Sequence, residues 1–391
     1  MTQTISRSFP ERLYSLDVLR GVAALSVVVF HWTFFFQRGT DIDPTFGPIR
    51  LPLYSYLFPF YEAGDKAVDL FFVLSGFVFF WLYAEKVASR SISAWNFAVL
   101  RFSRLYPLHL ATLVFVLFML FQNRRLVGSA FVYPNNDTWH FCLQLVFASD
   151  WGLFESGHSF NGPIWSVSIE VLLYTIFFFV CVHRFSRPYH VVILCILGVF
   201  VGHILGALGR GMFGYFAGGL AFYVARFLVA RKCGFTFLCV ILALCVAAWI
   251  TAIVAIKCSL LFKITALLQS MKIPGLTDAI VSKILAYSCD KAVAGGLFPL
   301  TIISLVLLEA RRGSLGRRVA FLGDISYSSY LLHYPLQLLI VSLFLSQNWS
   351  FHCFQKSWAL IAFYLILIPL SMFVFRFYER PAQYFLRKRL H

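Results

Sequence analysis

Charge is scarce in this chain: 13% of its 391 residues are charged, and only 17 are Asp or Glu. An ordinary soluble domain carries about 25% charged residues, so a water-soluble globule is excluded. The nine cysteines form no CxxC pair and join no His-rich cluster at metal-ligand spacing, which argues against a zinc site and a disulfide scaffold. No metal and no permanently bound cofactor is expected. No internal repeat is visible, which disfavours transporter folds assembled from duplicated halves. No polar segment is long enough to fold separately, so residues 1–391 read as one membrane-embedded domain. The first apolar run lacks a small-residue cleavage site and contains Asp17, Arg20 and His31, so it reads as a retained span rather than a cleaved signal peptide.

What is abundant is apolar residues, 60% of the chain. A helix needs about 20 mostly apolar residues to cross a bilayer. Ten segments qualify: residues 16–36, 66–84, 104–121, 164–183, 189–207, 212–230, 234–256, 289–309, 324–346 and 358–378. The expected fold is therefore an all-α, polytopic membrane bundle of ten helices, or eleven if residues 259–285 enter the bilayer. The run 141–148 is too short to cross and reads as a re-entrant or interfacial piece.

The net charge of +16 comes from basic residues between apolar runs, which points to membrane topology rather than nucleic acid. With the N-terminus inside, Arg12, Lys86, Arg90, Arg101, Arg104, Arg311, Arg312, Arg387 and Lys388 all fall on inner segments, so both termini are placed in the cytoplasm. Outer stretches 37–65 and 122–163 then read as caps over a cavity or as plain connectors.

Charges inside a membrane cost several kcal/mol unless they face a cavity or a partner, so each is a candidate site. Arg20 and His31 differ by only about 20° around a helix and stand about 16 Å apart along it. They line one face at two depths, with a local Asp17–Arg20 ion pair as the alternative for the arginine. Glu170 lies about as far below the outer end of its span as His31 does in the first, which suits a base and an orienting carboxylate. Arg101 and Arg104 precede the third span and, with Arg20, suggest a basic pocket for phosphates. Ser75-Gly76 marks either close helix packing or a substrate contact. His333 lines the same cavity or satisfies the backbone freed by Pro335.

Residues 16–25 with Phe30-His31, residues 68–77, Arg104-Leu105-Tyr106-Pro107, Trp165-Ser166-Val167-Ser168-Ile169-Glu170, residues 325–335 and Tyr378-Glu379-Arg380-Pro381 closely resemble the motifs of acyltransferase family 3, in that family's order. The resemblance implies a multi-pass enzyme of the bacterial inner membrane that moves an acyl group, usually acetyl from acetyl-CoA, to a hydroxyl of an extracytoplasmic glycan or related acceptor. On it, His31 and Glu170 are catalytic, Arg20, Arg101 and Arg104 bind the donor, and Trp165, Ser166, Ser168, His333 and Ser75 contact substrate. The partners expected are acyl-CoA, a carbohydrate acceptor and membrane lipids, with no nucleic acid. No appended periplasmic esterase-like domain is expected. Direct attack with His31 as base and a transient acyl-histidine both fit, and a transporter or flippase of a lipid-linked sugar or small anion is the competing reading.

Overall fold

In hydrocarbon every backbone N–H and C=O must find a partner within the protein, and a helix supplies one for nearly all of them. The chain obeys that rule. The computed structural model describes residues 9–38, 41–42, 49–127, 131–152, 157–271 and 277–390. Its helices are α1 (Tyr14–Phe30), α2 (Tyr54–Ala63), α3 (Lys66–Leu82), α4 (Ala84–Ala88), α5 (Ala94–Val127), α6 (Thr138–Leu145), α7 (Ile164–Val182) and α8 (Pro188–Ala230). They continue with α9 (Phe235–Lys257), α10 (Leu260–Ser270), α11 (Asp278–Ala292), α12 (Phe298–Arg312), α13 (Phe321–Asp324), α14 (Ser326–Ser346), α15 (Ser357–Val374) and α16 (Arg380–Leu390). A two-residue ribbon pairs Gln37–Arg38 with Asp41–Ile42.

Among the described residues, eight helical stretches are long and apolar enough to cross a membrane. One of them, α8, is broken at Leu205 and Gly206, where φ/ψ leave the helical region. It doubles back there: the Cys195 thiol donates to the carbonyl of Phe213, and a Cβ on Gly198 would fall 2.7 Å from the Phe213 nitrogen. Two of the expected spans thus form one hairpin. The 17-residue α3, with ten buried residues, supplies a further rod through the centre. By contrast, the 11 residues of α10 reach only about 16 Å, half a hydrocarbon core, so α10 alone makes no eleventh crossing. Residues 272–276 of that region lie outside the described ones.

The tightest packing joins α3 to the second arm of α8. A Cβ on Gly76 would stand 1.7 Å from the Tyr215 carbonyl oxygen, and one on Gly218 would stand 1.9 Å from that of Val73. Only glycine lets these backbones touch, the usual device where helices meet without a hydrophobic driving force. Close packing thus accounts for Gly76. The run 141–148 holds the C-terminal part of the short helix α6, capped by Asp137, whose carboxylate accepts from the His140 backbone N–H at 2.9 Å.

One boundary departs from expectation. Helix α5 starts at Ala94, ten residues before the expected span, so Arg101 and Arg104 lie on the helix itself rather than ahead of it. At a spacing of three they share a face, and that face is turned to a cavity.

Candidate functional site

The site begins with how α1 is held. Its first open backbone N–H groups, those of Tyr14 and Ser15, donate to the buried Glu309 carboxylate of α12 at 3.0 and 2.9 Å, and the Ser15 hydroxyl adds a bond of 2.6 Å. A carboxylate satisfies open donors and suits the positive end of the helix dipole. One turn later α13 presses on α1: a Cβ on Gly323 would meet the Asp17 carbonyl oxygen at 2.3 Å. The approach brings the Gly323 carbonyl to Arg20, which donates to it at 2.7 Å, to the Ser326 hydroxyl at 3.1 Å and to Asp17 at 3.4 Å. The local ion pair is therefore real, and it is the longest of the three bonds.

Arg20 lines a cavity of about 420 Å³ between α1, α3, α5, α7 and α14. Its lining includes the exposed Arg12 and Asp324, the half-buried Asp17, and Arg101, Arg104, Ser75, Glu170 and Tyr174. Arg101 donates to the Tyr83 hydroxyl at 2.6 Å and lies over the rings of Phe79 and Tyr83. Arg104 makes no hydrogen bond or salt bridge to the described residues, although its guanidinium feels the charges of Glu170 and Glu379. A half-buried guanidinium with open donors in a cavity is a site for an anion. Sequence reasoning missed two neighbours here: Arg387 of α16, anchored on the Ser103 hydroxyl at 3.2 Å and within electrostatic reach of Arg101 and Arg104, and Glu379, which accepts from Ser328 at 2.6 Å.

Glu170 accepts from Ser75 at 2.7 Å and from Tyr174 at 2.5 Å through one carboxylate oxygen. Tyr330 also lines the cavity. Its hydroxyl donates to the Pro163 carbonyl at 2.8 Å, and the Ser166 hydroxyl lies 2.9 Å from it. One helical turn past Tyr330 on α14, the fully buried His333 places its Nε2 2.8 Å from Nδ1 of His31. His31 opens a 3-10 turn (His31–Phe36) that follows α1 and is pinned where Trp32 donates to the Phe354 carbonyl at 2.9 Å. Beyond His31, Phe34 stacks on its ring, Tyr133 packs on Phe34, and His158 meets both Tyr133 and Trp165. His158 also lies 3.6 Å from Asp150 and is half exposed.

The expectations for Glu170 and Ser168 are corrected. Glu170 does not orient His31: it faces the arginine cavity, and the partner of His31 is His333. Matching depth counted along two helices did not bring the side chains together: Glu170 is held by Ser75 and Tyr174, and His31 does not line the cavity. Ser168 does not line this cavity; it is fully buried, donates to the Phe147 carbonyl at 2.6 Å and accepts from the Asp150 N–H, tying a connector to α7. Trp165 stays outside the arginine cavity, with Arg210 5.8 Å over its ring. Arg20, Arg101, Arg104, Ser75, Ser166 and Glu170 do share one cavity. The second reading of His333 also falls: the Leu331 carbonyl, four residues before Pro335, is taken by Asn161 at 3.1 Å.

Comparison with known proteins matches this arrangement to a family. An acyltransferase-domain profile, that of acyltransferase family 3, covers residues 13–376. The chain is similar to "Protein 2 in picA locus" of Rhizobium radiobacter, 41% identical over 109 residues, 28% of this chain and 46% of that protein. It is also similar to acyltransferase MdmB of Streptomyces mycarofaciens, 31% identical over 169 residues, 42% of this chain and 38% of that protein. The chain thus spans less than half the length of these curated relatives. No solved structure matches it. Since the profile takes in α1 through α15, with the cavity and the histidine pair between them, the chain belongs to acyltransferase family 3.

Proposed function

We propose that the chain is an O-acyltransferase that moves an acyl group, acetyl first among them, from acyl-CoA to a hydroxyl of an extracytoplasmic carbohydrate or related acceptor. It works in the bacterial inner membrane with both termini in the cytoplasm. The observation that carries this reading is a cavity lined by Arg20, Arg101 and Arg104, the last with no hydrogen bond to the described residues, and also by Tyr330, whose carbonyl meets His333, which in turn meets His31. The donor's phosphates bind the guanidinium groups, with Arg387 beside them. The pantetheine arm runs past Glu170 and Ser75 toward Tyr330. The acceptor comes from the opposite side, where the half-exposed His158, Asp150, Tyr133 and Trp165 offer ring faces and hydrogen-bonding groups.

His31 then takes the proton of the acceptor hydroxyl as its oxygen forms a bond to the thioester carbonyl carbon, and returns it to the thiolate sulfur as the C–S bond breaks. A transient acyl-histidine that delivers the group in two steps uses the same residue. Feeding membranes carrying the protein with acetyl-labelled acetyl-CoA and following label into envelope glycans tests the reading. Ester-linked label that depends on the protein supports it; movement of an acceptor across the membrane without ester formation contradicts it.

A further inference from the structure

His31 has two ring nitrogens, and which one bears hydrogen decides which one can act. The carbonyl of Tyr330 can only accept, and it lies 2.6 Å from Nδ1 of His333, so that nitrogen carries the hydrogen. A neutral imidazole has a single N–H, which leaves Nε2 of His333 with a lone pair alone. Nε2 lies 2.8 Å from Nδ1 of His31, so the shared hydrogen belongs to His31. The ring planes differ by 15°, and the centroid separation of 5.1 Å is close to the N···N distance plus one ring radius at each end. The rings therefore meet edge to edge, with the N–H aimed along the line between them.

From this chain of bonds we propose that His333 is a positioning residue that fixes the tautomer of His31, leaving Nε2 of His31 as the nitrogen that takes the acceptor's proton. The inference rests on the reading of His31 as the base. Its frame is rigid: His333 is fully buried, and Gln337, one turn further along α14, donates to the His31 carbonyl at 3.0 Å. The carbonyl freed by Pro335 does not need the His333 ring, since Asn161 already satisfies it. When His31 becomes an imidazolium, its Nδ1–H bond to a neutral acceptor becomes charge-assisted and strengthens. An imidazole does here what an orienting carboxylate does in a catalytic triad, without placing a second charge in the membrane interior.

The test is ¹⁵N NMR of histidine-labelled full-length protein in detergent, with the His31 signals identified by their loss in His31→Ala. The expected wild-type form has hydrogen on Nδ1 and a bare Nε2. His333→Ala should move His31 toward the opposite tautomer and lower kcat by about tenfold or more, with the donor KM changed less than about twofold. His333→Gln, whose amide oxygen can accept the same hydrogen, should recover most of that loss. Hydrogen on Nε2 of wild-type His31, or equal kcat in the Ala and Gln variants, overturns the proposal even if His333→Ala folds poorly. An active His31→Ala removes the base itself and leaves the tautomer measurement standing.

Discussion

Arg210 grips Asp69 with two parallel bonds, Nε to one carboxylate oxygen at 2.6 Å and Nη2 to the other at 2.9 Å. The pair joins α3 to the second arm of α8, and the Asp69 side chain is only 2% exposed. Asp69→Asn removes the charge that the guanidinium was placed to meet. Breaking a buried pair from one side costs about 3–5 kcal/mol, and the low end applies because Arg210 keeps a quarter of its surface exposed. Thermal unfolding in detergent should show a clearly lower Tm for Asp69→Asn and a smaller drop for Asp69→Glu.

The contact between Gly76 and Tyr215 is backbone against backbone, so no side-chain rotation can relieve an added group. Gly76→Val should force α3 and α8 apart and cost at least the 1–3 kcal/mol or so of an overpacked core. A shifted or aggregated peak in size-exclusion chromatography is the expected outcome; a monodisperse protein of wild-type Tm would show that the helices do not touch there.

Arg104 is the cleanest probe of donor binding. Arg20 also holds Gly323 and Ser326, so its removal disturbs α1 and α13 as well as the cavity. Arg104 has no such structural bonds to the described residues. Losing one charge-assisted contact of about 1.5–3 kcal/mol should raise the acetyl-CoA KM of Arg104→Ala by about tenfold to a hundredfold, with kcat less affected. Arg104→Lys should recover part of it, and steady-state kinetics at two salt concentrations checks both.

Outside the spans, the Asp137 carboxyl is held below its ordinary value by the His140 backbone N–H and then by the His140 ring. A carboxylate with a depressed folded pKa lends its stability above the unfolded value, about 3.9, and withdraws it as pH falls through the lower folded value. Protection of the His140 amide, read as the ratio of its exchange rate in Asp137→Ala to that in wild type, should therefore hold at neutral pH and fall only below about pH 4.

The spans were legible because a bilayer demands apolar length, and length is a property of the sequence. Segments 189–207 and 212–230 were separable for that reason, although only the contacts of Gly198 and Cys195 show that they fold back on each other. Arg20 and His31 were expected on one face of a single helix, but α1 ends at Phe30 and His31 opens the 3-10 turn that follows. Pairing between helices was not legible: Glu170 matched His31 by counted depth yet turns to Ser75 and Tyr174, and Asp69, Arg210 and Glu309 find partners 141 and about 300 residues away. Ser168 sits in the same hexapeptide as Ser166, but one position faces the cavity and the other a connector, a difference of two helical steps that composition does not reveal.

The most direct measurement compares wild-type protein and His31→Ala, at equal amounts in membranes, for the initial rate of label transfer from acetyl-labelled acetyl-CoA to the glycan acceptor. Loss of a general base at the reacting oxygen should slow transfer by about 10²–10⁴-fold while the protein remains folded and still binds acetyl-CoA. Transfer by His31→Ala at a rate near wild type would contradict a catalytic role for that ring.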